Sequence, residues 1–78
     1  MEKPRRGHLK RAIEKAEKAM ADLNKKRGEI EAKLADPATY SEPPSVAAEL
    51  QKEKQRLERE LAHAEHDWLV AQEALEAA

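Results

Sequence analysis

Two matched stripes of apolar residues flank a proline-rich segment, and this arrangement constrains the fold more than any other feature of the sequence. The first stripe runs from Leu9 to Leu34, and its residues recur at alternating spacings of four and three. Seven of its eight positions are apolar, the exception being Arg27: Leu9, Ile13, Ala16, Met20, Leu23, Arg27, Ile30 and Leu34. A period of about 3.5 residues is typical of the buried seam of a coiled coil.

The second stripe repeats this spacing from Ala47 to Leu75. Eight of its nine positions are apolar, the exception being Lys54: Ala47, Leu50, Lys54, Leu57, Leu61, Ala64, Trp68, Ala71 and Leu75. The segment 36–45 between the stripes contains three prolines, which prevent one helix from running through it. The sequence therefore predicts an all-α fold, an antiparallel two-helix coiled-coil hairpin with a Pro-containing connecting turn.

The element boundaries follow from the stripes and from the capping residues beside them. We expect a flexible basic leader at 1–7 and a hairpin at 8–78, with helix one at about 8–35, the turn at 36–45 and helix two at about 46–76. Asp36 before Pro37 is a suitable N-cap for one short helical turn that ends near Tyr40. Ser45 is the predicted cap of helix two.

The register of the two helices is set by the sizes of the facing residues. Placing Trp68 opposite Ala16 and Met20 opposite Ala64 sets large side chains against small ones, as close packing requires. The same register brings Lys26 near Glu60, Lys33 near Glu53, and Glu17 unfavourably near Glu65.

Arg27 and Lys54 come close together in this register, beside Gly28, and form a weakly packed zone. We interpret both as long side chains that lie along the seam and hold their charges in water. A register-fixing or hinge role is the alternative.

Composition excludes several classes of function. With 78 residues, 40% of them charged, a mean hydropathy of −0.96 and no Cys, the chain has neither disulfides nor Cys-ligated metals. No apolar run approaches the ~20 residues that span a bilayer, so we expect a cytoplasmic protein without a membrane partner. His63 and His66 lack a third ligand, and the glycines are isolated. We therefore expect no metal, no cofactor and no enzymatic activity.

The charges are distributed unequally along the chain. Residues 1–35 contain 11 Lys/Arg and 6 Asp/Glu, whereas residues 36–78 contain 4 and 10. A row of cations that recurs every seven residues on the outer side of helix one suits the phosphates of a nucleic acid. The candidate binding residues are Arg5, Arg6, Lys10, Arg11, Lys15, Lys18 and Lys25. The alternative is the ordinary charged surface of a soluble coiled coil, because acidic residues interrupt the row.

Two segments resemble a known family. The run Leu34-Ala35-Asp36-Pro37-Ala38-Thr39-Tyr40 is similar to the L-x-D-P-x-x-Y element in the C-terminal domain of ABC-F family ATPases of the Uup-like branch. Residues 61–73, which include Trp68, resemble the terminal helix of that domain. The resemblance covers roughly residues 30–78 and marks Asp36-Pro37, Tyr40 and Trp68 as structural signatures.

The resemblance implies a piece of a cytoplasmic protein with two ATP-binding cassettes, in which the hairpin trails the second cassette and is associated with DNA binding or ribosome-related roles. We therefore expect a non-catalytic C-terminal appendage that binds DNA, or structured or ribosomal RNA, through helix one. Its partners would be nucleic acid and its own cassettes, and the 78-residue chain alone would be a monomer. The alternative is a protein-interaction or spacer arm that docks on the cassettes or self-associates through Leu69 and Val70.

Overall fold

The computed structural model describes the backbone of residues 2–77 and the side chains of residues 6–77. Two long helices, α1 (Glu2–Ala35) and α2 (Pro44–Ala77), are joined by a short 3₁₀ helix at Pro37–Ser41. The molecule measures 60 × 14 × 13 Å. The predicted all-α helical hairpin is confirmed, and residues 2–77 contain no strand. No described helix is long and apolar enough to cross a membrane.

The beginning of α1 differs from the prediction. α1 already begins at Glu2, so the boundary expected near residue 8 is wrong and residues 2–7 of the predicted leader are helical. Pro4 is compatible with this because the first four N–H groups of a helix have no partner within it. Gly7 is also helical, without a positive φ angle. The flexibility of residues 1–7 stays a prediction, and Met1 lies outside the described residues.

The turn closes the end of α1 with side chains. Asp36 caps the 3₁₀ helix by accepting a hydrogen bond from the N–H of Ala38 at 3.0 Å, which confirms the predicted short helical turn. The Tyr40 hydroxyl donates to the carbonyl of Leu34 at 2.6 Å, and the Thr39 hydroxyl donates to that of Lys33. These bonds satisfy two terminal carbonyls that lack a partner within the helix. Within residues 2–77 no left-handed residue is used.

The beginning of α2 also needs a correction. The helix begins at Pro44 and not near residue 46, so Ser45 lies inside its first turn and is not the cap. Proline is well suited to the first helical position, because its φ angle is already helical and its missing N–H would have no partner there.

The two predicted seams form the interface between the helices. Each of the seventeen seam positions is buried or half-buried. Among residues 6–77 six are buried, and all of them belong to these seams: Ile13, Ala16, Leu57, Leu61, Ala64 and Ala71. Burial of the apolar side chains is the main stabilising contribution, at about 25 cal/mol per Å² of apolar surface.

The contact between Trp68 and α1 fixes the relative position of the helices. The indole Nε1 of Trp68 donates to Glu17 Oε2 at 3.2 Å. Glu17 is the neighbour of Ala16, the predicted partner of Trp68, so this contact agrees with the predicted register to within one residue. The indole stays half-exposed, since one side of it borders an open groove beside Met20 and Leu69.

The two seam cations are half-buried, as expected for long side chains lying along the interface. Arg27 Nη2 donates to Asn24 Oδ1 at 3.0 Å, and its Nε lies 3.4 Å from Glu31 Oε1. That Nε atom is shielded from water and makes no aligned hydrogen bond. Gly28 is exposed next to Arg27, and a Cβ atom there would meet nothing within 4 Å. No contact therefore requires glycine at this position.

Candidate nucleic-acid interface

The side of α1 that faces away from α2 carries a cluster of four cations. Arg11, Lys18 and Lys25 recur every seven residues, about 10 Å apart along the axis at a rise of about 1.5 Å per residue. Lys15 lies within about 40° of Arg11 around the helix, at about 100° per residue. All four side chains are exposed. We call Arg11, Lys15, Lys18 and Lys25 the outer basic face.

The other predicted binding residues do not all share this face. Around the axis of α1, Lys10 lies about 100° from Arg11. Arg6 lies about 140° from Arg11, on the seam side of the helix. Both are exposed. The side chain of Arg5 lies outside the described residues. The structure therefore brings together four of the seven predicted residues and places Arg6 and Lys10 on other sides of α1.

The lysines of the outer basic face make no close ion pair with a carboxylate of the described residues. Among the ion pairs of residues 6–77, none within 4 Å involves Lys15, Lys18 or Lys25. Arg11 donates from Nε to the carbonyl of Gly7 at 3.4 Å, which is a neutral acceptor. Acidic residues that interrupt this side of α1 are exposed at Glu14, Asp22 and Glu29.

The cations of α2 are arranged differently. Arg56 donates to Glu53 at 3.1 Å and to Glu60 at 3.2 Å, both one turn away on its own helix. The hydrogen bond from Arg56 lowers the pKa of Glu53, and the charges of Arg56 and Lys26 act in the same direction. The same bond raises the pKa of Arg56.

Glu53 and Glu60 are paired within α2 and not with Lys33 and Lys26 of α1, which the predicted register brings near them. Within residues 6–77, Lys26 and Lys33 make no ion pair within 4 Å, whereas Glu53 and Glu60 both contact Arg56. A partner on the same helix at a spacing of three or four is already close, so its bond costs less side-chain ordering. The spacing of Glu53, Arg56 and Glu60 was the sequence signal for this arrangement. The bond from Trp68 to Glu17 had no comparable signal, because it depends on the packing of α1 against α2.

An open groove between the helices offers little chemistry. It has a volume of ≈ 440 Å³, and its lining is mostly apolar: Ala12, Lys15, Ala16, Ala19, Leu23, Glu60, His63, Ala64 and Asp67. His63 Nε2 and Asp67 Oδ2 lie 3.6 Å apart on its rim, both largely exposed. Within the described residues, no group of three or more His, Cys, Asp or Glu side chains is placed to hold a metal ion.

Comparison with known proteins gives one match. A family model described as the ABC transporter C-terminal domain matches residues 7–77, which include both helices and the turn. The chain belongs to this family of ABC transporter C-terminal domains. As such a domain it is an appendage of an ABC-type ATPase. Neither the curated proteins nor the solved structures gave a match.

The residues that carried the resemblance have structural roles in this ABC transporter C-terminal domain. Asp36 caps the 3₁₀ helix, Tyr40 closes the end of α1, and Trp68 joins the helices through Glu17. The outer basic face is formed by other residues. Asp36, Tyr40 and Trp68 are therefore separate from the candidate binding surface, although both lie within the residues that match the family.

Proposed function

We propose that this domain is the C-terminal arm of an ABC-F type ATPase and that it binds the phosphate backbone of nucleic acid through the outer basic face of α1. The observation that supports this most strongly is a row of exposed lysines to which the described residues offer no carboxylate within 4 Å. On the neighbouring helix, by contrast, Arg56 is paired. Each phosphate that such a side chain neutralises releases counterions, which favours binding at low salt.

The chemistry of the face suggests which nucleic acids it binds. Its side chains are those of Lys and Arg, which contact phosphates without reading a sequence. The two aromatic residues of the chain lie elsewhere, Tyr40 in the turn and Trp68 at the seam. Stacking of unpaired bases therefore has no platform on this face. Duplex DNA and structured RNA are the proposed ligands, and the ATP-binding cassettes of a longer cytoplasmic protein are the proposed intramolecular partners.

A fluorescence anisotropy titration of the 78-residue chain with labelled duplex DNA and duplex RNA tests the proposal. The informative variant replaces Lys15, Lys18 and Lys25 with Gln. The control replaces Lys52, Arg56 and Arg59 with Gln, which removes the same amount of charge from exposed positions on α2. At about 50 mM salt we expect the first variant to lose at least about tenfold in affinity and the control to lose far less.

The outcome also separates the two classes of function. Equal losses in both variants would show that overall charge, and not the outer basic face, determines binding. Absence of binding to either duplex at low salt would overturn the proposal and favour the protein-interaction or spacer arm.

A further inference from the structure

One groove of the hairpin combines an aromatic ring with two carboxylates. The groove is open, has a volume of ≈ 450 Å³ and is formed by both helices. Glu17 and Met20 of α1 line it together with Glu65, Trp68 and Leu69 of α2. None of these residues belongs to the outer basic face. The groove is therefore a second surface, separate from the candidate nucleic-acid interface.

The two carboxylates of this groove have no cation beside them. Within residues 6–77, neither Glu17 nor Glu65 makes an ion pair within 4 Å. No Lys or Arg stands three or four positions from either glutamate in the sequence, and residues 60–77 contain neither. Two carboxylates that line the same groove repel each other. The groove is therefore complementary in charge to a cation supplied by another molecule.

The other groups of the groove favour one kind of cation. The indole of Trp68 is half-exposed, and its Nε1 donates to Glu17 Oε2 at 3.2 Å, which holds the ring beside the carboxylate. That bond uses one of the two oxygens of Glu17. A planar guanidinium stacks on an aromatic ring and donates to carboxylates at the same time. The apolar side chains of Met20 and Leu69 suit the aliphatic stem that carries such a group.

We propose that this groove is a docking site for an arginine side chain of a partner protein. The guanidinium lies against Trp68 and pairs with Glu17 and Glu65, while its stem covers Met20 and Leu69. Lysine fits less well, because its ammonium is a strongly hydrated point charge that does not stack. The groove does not suit phosphates, which the two carboxylates repel. The hairpin thus has one surface for phosphates and another for arginine.

Titration of the 78-residue chain with short alanine-based peptides tests the proposal. Each peptide contains one central residue, which is arginine, lysine or citrulline. Trp68 is the only tryptophan of the chain, so its fluorescence reports occupancy of the groove directly. We expect saturable binding of the arginine peptide, at least about threefold weaker binding of the lysine peptide, and no binding of the uncharged citrulline peptide. Equal affinities for the arginine and citrulline peptides, or for the arginine and lysine peptides, would overturn the proposal.

A matched pair of variants locates the site. Glu17→Gln with Glu65→Gln should weaken binding of the arginine peptide at least about fivefold, because two exposed ion pairs are lost. Glutamine keeps an acceptor for the indole N–H, so the helical circular dichroism should be unchanged. Glu29→Gln with Glu49→Gln removes the same charge from exposed positions far from the groove and should leave the affinity unchanged. Equal losses in both variants, or absence of binding to the wild-type chain, would contradict an arginine site here. Because no nucleic acid is present, the result is independent of the nucleic-acid titration.

Discussion

The part of the hairpin farther from the turn, residues 9–27 and 57–75, is packed more tightly than the part around the turn, residues 28–56. All six buried residues lie at residues 13–16 or 57–71, whereas residues 28–56, which surround the turn, contain none. In the half near the turn the seam residues, such as Ile30 and Leu50, are only half-buried. The more tightly packed part also carries the outer basic face.

The difference shows that the covalent connection holds the helices together near the turn, whereas side-chain packing holds them together farther away. Near the turn the short connection keeps the helices close, and the side chains of Asp36, Thr39 and Tyr40 fix its shape. Farther from the turn, two facing residues are separated by more residues along the chain. The entropy cost of holding them together is therefore higher. There Ala16 and Ala64 are buried at the seam, and Leu57 is almost completely covered.

Leu57→Ala should give the largest loss of stability. Leu57 is 1% exposed, so its truncation leaves a cavity and should cost about 3 kcal/mol. Leu50→Ala removes the same atoms from a half-buried seam position near the turn and should cost about 1 kcal/mol, because less apolar area is lost. Urea unfolding followed by circular dichroism measures both. Equal losses would mean that the two halves are packed alike.

Trp68→Ala should rank second, with a loss of about 2 kcal/mol. The indole is half-exposed, so the loss falls below the range for a fully buried aromatic residue. Glu17→Ala provides the comparison, since it removes only the acceptor of the indole N–H. Thermal melts of both variants separate packing from hydrogen bonding. An unchanged melting temperature for Trp68→Ala would contradict the register.

Tyr40→Phe tests the turn with a smaller effect. The substitution removes one hydrogen bond to the Leu34 carbonyl and should cost about 1 kcal/mol. In the half near the turn the connection supports the packing, so Tyr40→Phe should increase hydrogen exchange in residues 28–56 more than near Ile13. A uniform increase along both helices would mean that the two halves unfold as one unit.

Gly28→Ala should give the smallest change, and in the opposite direction. The new Cβ meets nothing within 4 Å, and the φ angle of Gly28 is not positive. Alanine should therefore raise stability by about 0.5–1 kcal/mol. The comparable Gly7→Ala places its Cβ 3.8 Å from Arg11 Nη2, an ordinary contact. A loss of stability in Gly28→Ala would reveal a role for flexibility beside Arg27.

Much of this fold follows from periodicity. The spacing of three and four predicts both helices and every buried residue, and the sizes of Trp68 and Ala16 predict the register. Helix beginnings are less accessible to sequence reasoning, because Pro4 and Pro44 are compatible with the first turn as well as with a boundary. The ion pairs are hardest to predict, since exposed pairs differ by fractions of a kcal/mol and Arg56 competes with Lys26 for the same carboxylates.

The candidate site was predictable only as a pattern of charge. Spacings of seven place Arg11, Lys18 and Lys25 on one side, and an approximate helical wheel separates Lys10 from them. Whether a cation has a carboxylate partner depends on side-chain placement, which the spacing alone leaves open. The structure adds that the lysines of this face have no such partner within 4 Å, in the part of the chain that it describes.

The slope of log affinity against log salt concentration, measured for duplex DNA, tests the central claim most directly. Each neutralised phosphate contributes about 0.9 to the slope. We expect a steep decrease for the wild-type chain and a slope shallower by about 2–3 for the variant in which Lys15, Lys18 and Lys25 are Gln. The control at Lys52, Arg56 and Arg59 should keep the wild-type slope. A wild-type affinity independent of salt, or the same slope in all three proteins, would contradict a nucleic-acid-binding function for α1.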